Sequence, residues 1–109
     1  MGNPAHVTHR ADGVKRALES SPSYTLCYSN LARAYAAKGE LEEAVAAYKQ
    51  CVFYFPKDSA AHLGLAKTLL RQGKRKEAKE ELNLTIWADP TGPQAKEARE
   101  KLKKLNIEN

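Results

Sequence analysis

The chain has 109 residues, which is room for one domain, and 42% of them are hydrophobic. Six glycines and five prolines are too few for a low-complexity chain, and no apolar run is long enough to cross a membrane as a helix. A net charge of +5 suits an acidic partner, and it equally suits plain solubility. The first residues lack the basic and apolar regions of a secretory signal, so we expect a cytoplasmic protein.

The apolar spacing is helical throughout, so we expect an all-α fold of about six helices. Residues 1–7 are expected to be disordered or foreign to the domain, and residues 8–20 to form the first helix. The second helix, over residues 24–37, carries an apolar stripe. Gly39 follows it and supplies the left-handed conformation in which helices commonly end.

The third helix is predicted from an apolar stripe that runs from Leu41 to Val52 with helical spacing. Pro56 stops this helix, because proline cannot donate the backbone hydrogen bond that a helix interior needs. Asp58 and Ser59 then offer an N-cap for the next helix. The same order of helix, glycine, helix and proline follows once more.

A shift of 34 residues brings the chain into register with itself. The matched pairs are Tyr28 with His62, Leu31 with Leu65, Ala32 with Ala66, Gly39 with Gly73, Ala44 with Ala78, and Pro56 with Pro90. The period and these residues resemble the tetratricopeptide-repeat (TPR) family, in which each repeat is a pair of antiparallel helices.

The resemblance implies an α-α superhelix, the TPR solenoid, with two full repeats at residues 25–58 and 59–92. Residues 8–24 match the second half of a preceding repeat. Residues 93–105 are expected to be a C-terminal solvating helix, with one apolar stripe and charged residues elsewhere. Residues 106–109 are expected to be a frayed tail.

No motif points to catalysis, so we expect no enzyme activity, no cofactor, no metal site and no small-molecule substrate. His62 takes the place of a packing aromatic residue, and no nucleophile is implied beside it. His6 and His9 are two imidazoles without the further ligands that a metal site needs. Cys27 and Cys51 lie within predicted helices and are expected to be buried thiols in a reducing compartment.

The resemblance also implies a function, because the first helices of TPR repeats line a concave groove that holds a peptide. Projected onto this sequence, that groove is basic and includes two leucines as apolar anchors, so the expected ligand is an acidic protein segment with an apolar group. The expected groove residues are Leu26, Ser29, Arg33, Ala37, Leu63, Lys67, Leu70, Arg71, Lys101 and Lys104. The carboxylate clamp of chaperone-binding TPR domains is incomplete in either register, so that activity is not expected.

Two aromatic residues, Phe53 and Trp87, occupy equivalent positions late in the second helix of each repeat, with Phe55 nearby. They either pack across the seam between repeats or form an exposed patch for self-association or for a partner. Nucleic-acid binding through the basic turn at residues 71–76 is the least favoured alternative, because the turn lacks interleaved aromatic residues.

Overall fold

The structure is a computed structural model that describes residues 23–108, with side chains from Tyr28 to Ile107. The expected N-terminal segment and first helix, residues 1–20, lie outside this range. The described elements are five α-helices: α1 Ser23–Ala37, α2 Leu41–Tyr54, α3 Ser59–Arg71, α4 Arg75–Ala88 and α5 Pro93–Glu108. Within that range there is no strand, and the all-α expectation is confirmed.

The first helix of each hairpin ends at a glycine in the left-handed region, as the sequence predicted. Gly39 has φ of 85° and Gly73 has φ of 81°. After Gly39, the Glu40 amide donates a hydrogen bond of 2.9 Å back to the carbonyl of Tyr35, and the same bond recurs after Gly73. This closure satisfies carbonyls that the helix end leaves without partners, and it lets the chain reverse into the next helix.

The other helix boundaries also follow local chemistry. Asp58 caps α3, and its Oδ1 accepts a hydrogen bond of 3.1 Å from the amide of Ala61. Helix α5 begins at Pro93, where a missing N–H costs nothing. It continues to Glu108, so residues 106–108 are helical where we expected a frayed tail. Near this end of α5, the guanidinium of Arg75 on α4 donates a hydrogen bond to the carbonyl of Leu105.

The helices form two layers, because each helix packs on its neighbour in sequence and α3 also contacts both α1 and α5. The first helices α1, α3 and α5 therefore form one layer, and α2 and α4 form the other. Alanines lie where the helices approach closely: Ala32, Ala44, Ala66 and Ala78 are all completely buried. Their small side chains permit this approach.

The core consists of two clusters that share α3. The first contains Leu65 and Leu69 of α3, packed with residues of α1, α2 and α4. The second contains Leu63 of α3, packed with residues of α4 and α5, among them Leu82 and Leu105. Helix α3 is thus covered from both sides, which leaves only a narrow stripe of it exposed.

The seam between the first hairpin and α3 depends on a glycine. The ring of Tyr48 lies so close to Gly64 that a Cβ at this position would overlap it. One repeat later, the equivalent residues are Leu82 and Ala98, both fully buried in the second cluster. In the first seam the larger Tyr48 faces a glycine, and in the second seam the smaller Leu82 faces an alanine. The sizes of the two residues in each pair are therefore complementary.

We predict that Gly64→Ala lowers the free energy of unfolding by about 1–3 kcal/mol, because the added methyl overpacks the seam. The double variant Tyr48→Leu/Gly64→Ala copies the pair Leu82 and Ala98 of the next seam, and we expect it to recover most of this loss. Urea unfolding of the two single variants and the double variant measures the coupling. If the changes in unfolding free energy of the two single variants simply add in the double variant, the added methyl group does not overlap the Tyr48 ring.

Candidate functional site

A cavity of 510 Å³ opens on the layer formed by the first helices, and we call it the groove. Twelve of its lining residues come from α1, α3 and α5, and Tyr48 of α2 is the thirteenth. The described residues that line it are Arg33, Ala36, Ala37, Tyr48, Ala60, Leu63, Gly64, Lys67, Thr68, Arg71, Pro93, Gln94 and Glu97. The groove thus lies where successive first helices meet.

Five of the residues predicted for the groove line it together: Arg33, Ala37, Leu63, Lys67 and Arg71. Two more, Lys101 and Lys104, line a second cavity of 430 Å³ along α5. These two cavities share Pro93 and Glu97, so they are continuous along the terminal helix.

The two arginines of the groove are each held by one hydrogen bond. Arg33 donates to Oδ1 of Asn30 at 2.6 Å, within its own helix. Arg71 donates across the groove to the carbonyl of Ala36 at 2.7 Å, near the end of α1. A guanidinium carries five N–H groups, so a single bond of this kind orients it and leaves other donors that can meet a ligand.

Lys67 is paired differently, with a carboxylate from the terminal helix. Its Nζ lies 3.2 Å from Oε2 of Glu97, and Nζ of Lys101 lies 3.8 Å from the same oxygen. The described lining of the groove therefore contains three cations and one carboxylate, so this part of the lining is electropositive.

The family is decided by a match that covers more than half of the chain: a tetratricopeptide-repeat family model matches residues 37–102. The chain belongs to the tetratricopeptide-repeat family. It is also similar to the TPR repeat-containing protein YpiA of Bacillus subtilis (strain 168), with 36% identity over 72 residues. The matched stretch is 66% of this chain but 17% of that protein, so the chain spans less than a fifth of its relative.

The TPR groove offers less apolar surface than we expected. Leu63 lines it but is only 6% exposed, because it belongs to the core cluster between α3, α4 and α5. Leu70 does not line the groove, and it packs against both core clusters. Neither leucine therefore presents the accessible anchor that we predicted. The side chain of Leu26 lies outside the described part of the chain.

Tyr48 lines the groove, although the groove residues expected from the sequence did not include it. The TPR pattern has phenylalanine at this position, so the tyrosine adds a hydroxyl, and this substitution was the available signal. Burial raises the pKa of Tyr48, and the nearby charge of Arg33 opposes this shift without cancelling it. The phenol therefore keeps its proton at neutral pH and can donate a hydrogen bond.

Ser29, which was also predicted for the groove, contacts Cys51 on α2 instead. Its Oγ lies 3.5 Å from Cys51 Sγ, and the thiol donates to Oδ2 of Asp58 at 3.4 Å. Burial raises the pKa of Cys51 to about 11, so the thiol is protonated at neutral pH and unsuited to nucleophilic chemistry. The prediction of a buried thiol is confirmed for Cys51, and the Cys27 side chain lies outside the described side chains.

The aromatic patch, which we define as Phe53, Phe55 and Trp87, is exposed in part. Phe53 is 72% exposed and Trp87 is 51% exposed, while Phe55 is half-buried. The ammonium of Lys57 lies 4.5 Å from the centroid of the Trp87 ring, close enough for a cation–π interaction. Phe53 and Trp87 are therefore exposed, as the second alternative requires, and their use in self-association or partner binding stays a prediction.

The described side chains include no group of three or more His, Cys, Asp or Glu residues placed to hold a metal ion. The pair His6 and His9 lies before the described residues. Among α1 to α5, no helix combines the length and the apolar character that crossing a membrane requires.

His62 replaces the packing aromatic of the TPR pattern with a buried polar pair. The side chain is 6% exposed, its Nδ1 lies 2.8 Å from Oε1 of Glu81, and its Nε2 lies 2.8 Å from the carbonyl of Pro56. Both partners are acceptors, so both contacts are satisfied when the ring is doubly protonated. Burial lowers the pKa of His62, but the hydrogen bonds to Glu81 and Pro56 outweigh it, and the net pKa is raised above 6.5.

This pair predicts a stability that depends on pH. Because the folded pKa of His62 exceeds its unfolded value, the pair contributes fully below about pH 6.5, and its contribution is lost as the pH rises through the folded pKa. For one proton, the slope is at most about 1.4 kcal/mol per pH unit. Urea unfolding at several pH values between about pH 6 and pH 9 measures this decline in the free energy of unfolding.

The control is Glu81→Gln, whose amide can donate to the unprotonated Nδ1 and so satisfies the neutral ring. We expect this variant to lose the decline above about pH 6.5. Any pH dependence that does not involve this pair is common to both proteins and cancels in the difference. Parallel pH curves for the wild type and Glu81→Gln would refute the assignment.

Proposed function

We propose that this chain is a protein-interaction module that binds an acidic segment of a partner protein in the groove. TPR repeats generally mediate protein–protein interaction or assembly, and the family is generally non-catalytic. The observation that carries the proposal is the convergence of Arg33, Lys67 and Arg71 from two successive first helices on one open cavity. A cytoplasmic setting, as expected from the sequence, suits the buried thiol of Cys51.

The lining of the groove indicates the chemistry of this segment. Its carboxylates would meet the guanidinium groups of Arg33 and Arg71, with the Tyr48 hydroxyl as a further donor between them and the core. The apolar part of the lining consists mainly of small residues such as Ala37 and Ala60, which leave room for side chains of the ligand. Exposed ion pairs contribute only about 0.2–1 kcal/mol each, so binding should be weak and sensitive to salt.

The arginines provide the direct test. We expect Arg33→Gln/Arg71→Gln to weaken binding of a peptide of repeated Asp-Glu-Leu triplets by about tenfold, because two exposed ion pairs are lost. The dependence of affinity on salt should become shallower as well. Fluorescence polarisation with a labelled peptide, over a range of salt concentrations, measures both effects.

The matched control is Lys49→Gln/Lys76→Gln, which removes the same charge from exposed positions on α2 and α4 outside the groove. Circular dichroism of each variant checks that the helices are intact. Equal weakening by the two double variants would show that net charge, and not the groove, attracts the peptide. Binding that is tight and unaffected by the arginine changes would overturn the groove assignment.

A second candidate function is self-assembly through the aromatic patch, and the exposure of Phe53 and Trp87 favours it. Exposed aromatic side chains on equivalent positions of successive repeats would present a repeating apolar surface to a second copy. The Lys57 ammonium over Trp87 would take part in such a contact or be displaced by it.

Light scattering distinguishes the two candidates. If the patch drives assembly, the wild type has a multiple of the monomer mass, and Phe53→Ala/Trp87→Ala is monomeric. Ile107→Ala is the control, because it also removes an exposed apolar side chain, from the end of α5. A wild-type protein that stays monomeric at high concentration rules out assembly through this patch.

A further inference from the structure

The groove of the unliganded protein already contains a carboxylate. Glu97 extends from α5, and its Oε2 lies within ion-pairing distance of Lys67 on α3 and of Lys101 on α5. Among the described residues, Lys67 is the groove cation that forms an ion pair with a carboxylate. Within the described part of the chain, the hydrogen bonds of Arg33 and Arg71 go to neutral oxygens, those of Asn30 and Ala36.

The Glu97 interaction is partly exposed to solvent. The side chain of Glu97 is 41% exposed, and those of Lys67 and Lys101 are 51% and 32% exposed. Ion pairs with this exposure add little to stability and exchange readily with other charges. The Glu97 carboxylate therefore contributes little to the stability of the fold, because the two core clusters hold the helices together.

We propose that Glu97 occupies, in the free protein, the place that a carboxylate of the acidic ligand takes between Lys67 and Lys101. The inference rests on the proposed function, since it assigns a role within the same groove. On binding, the ligand carboxylate displaces Glu97 from the two ammonium groups. Glu97 is then a competitor within the chain, and it limits the affinity for every acidic segment.

Charge complementarity supports this occupant. A carboxylate on one oxygen shared by two ammonium groups is the arrangement that an aspartate or glutamate of a peptide would adopt there. The competition also divides the groove. At Arg33 and Arg71, which we call the arginine half, a ligand binds without displacing a protein carboxylate. At Lys67, a carboxylate of the ligand has to replace that of Glu97. Acidic residues at the arginine half should therefore contribute most of the electrostatic affinity.

Neutralising Glu97 is the test, with the labelled Asp-Glu-Leu peptide as the probe. Glu97→Gln keeps the size of the side chain and frees both ammonium groups, and we expect tighter binding by about two- to fivefold. Glu80→Gln is the control, because Glu80 is exposed on α4 outside the groove and its loss changes the net charge equally. Glu80→Gln should bind as the wild type does.

A double-mutant cycle separates competition from a general change in potential. In the Lys67→Gln background, Glu97→Gln should lose a large part of its effect, because one of the two freed cations is absent. If the wild type binds the peptide, and Glu97→Gln and Glu80→Gln bind it with equal affinity, the competition is overturned and the proposed function remains intact. Weaker binding by Glu97→Gln overturns it as well. If none of the proteins binds the peptide, the proposed function fails, and this inference fails with it.

Discussion

The burial of α3 on both sides is the constraint on which the rest of this molecule depends. Leu65 and Leu69 pack toward the first hairpin, while Leu63 and Ala66 pack toward α4 and α5. A helix that is covered from two sides keeps only one stripe for solvent, and on α3 that stripe carries cations. The same packing that stabilises the solenoid therefore determines which charges line the groove.

The seams between repeats connect the core directly to the groove. Tyr48 fills the first seam against Gly64, whereas the next seam uses Leu82 and Ala98. Since both pairs fill a comparable space, the choice between them has little effect on the architecture. It does affect the surface, because only the tyrosine brings a hydroxyl to the lining of the groove. The Tyr48–Gly64 pair thus adds a hydrogen-bond donor that the Leu82–Ala98 pair lacks.

Two pairs of similar geometry, His62 with Glu81 and Lys67 with Glu97, have different consequences because they differ in burial. His62 and Glu81 meet at 2.8 Å with side chains that are 6% and 19% exposed, and water cannot readily replace either partner. Lys67 and Glu97 meet at 3.2 Å with about half of each side chain exposed, so water and other ions compete for both. The first pair joins the two helices of a repeat, and the second is suited to exchange with a ligand.

For the described residues, the sequence by itself determined the helices, most of their ends and the repeat, because these depend on local spacing and on residues such as Gly39 and Asp58 whose partners lie within a few positions. It also placed Arg33, Lys67 and Arg71 in one groove, through the period of the repeat. Only the tertiary structure decided that Leu63 and Leu70 are covered and that Lys67 meets Glu97. Burial and pairing depend on the distance and angle between helices that are remote in the chain, and a periodic pattern on one helix contains neither.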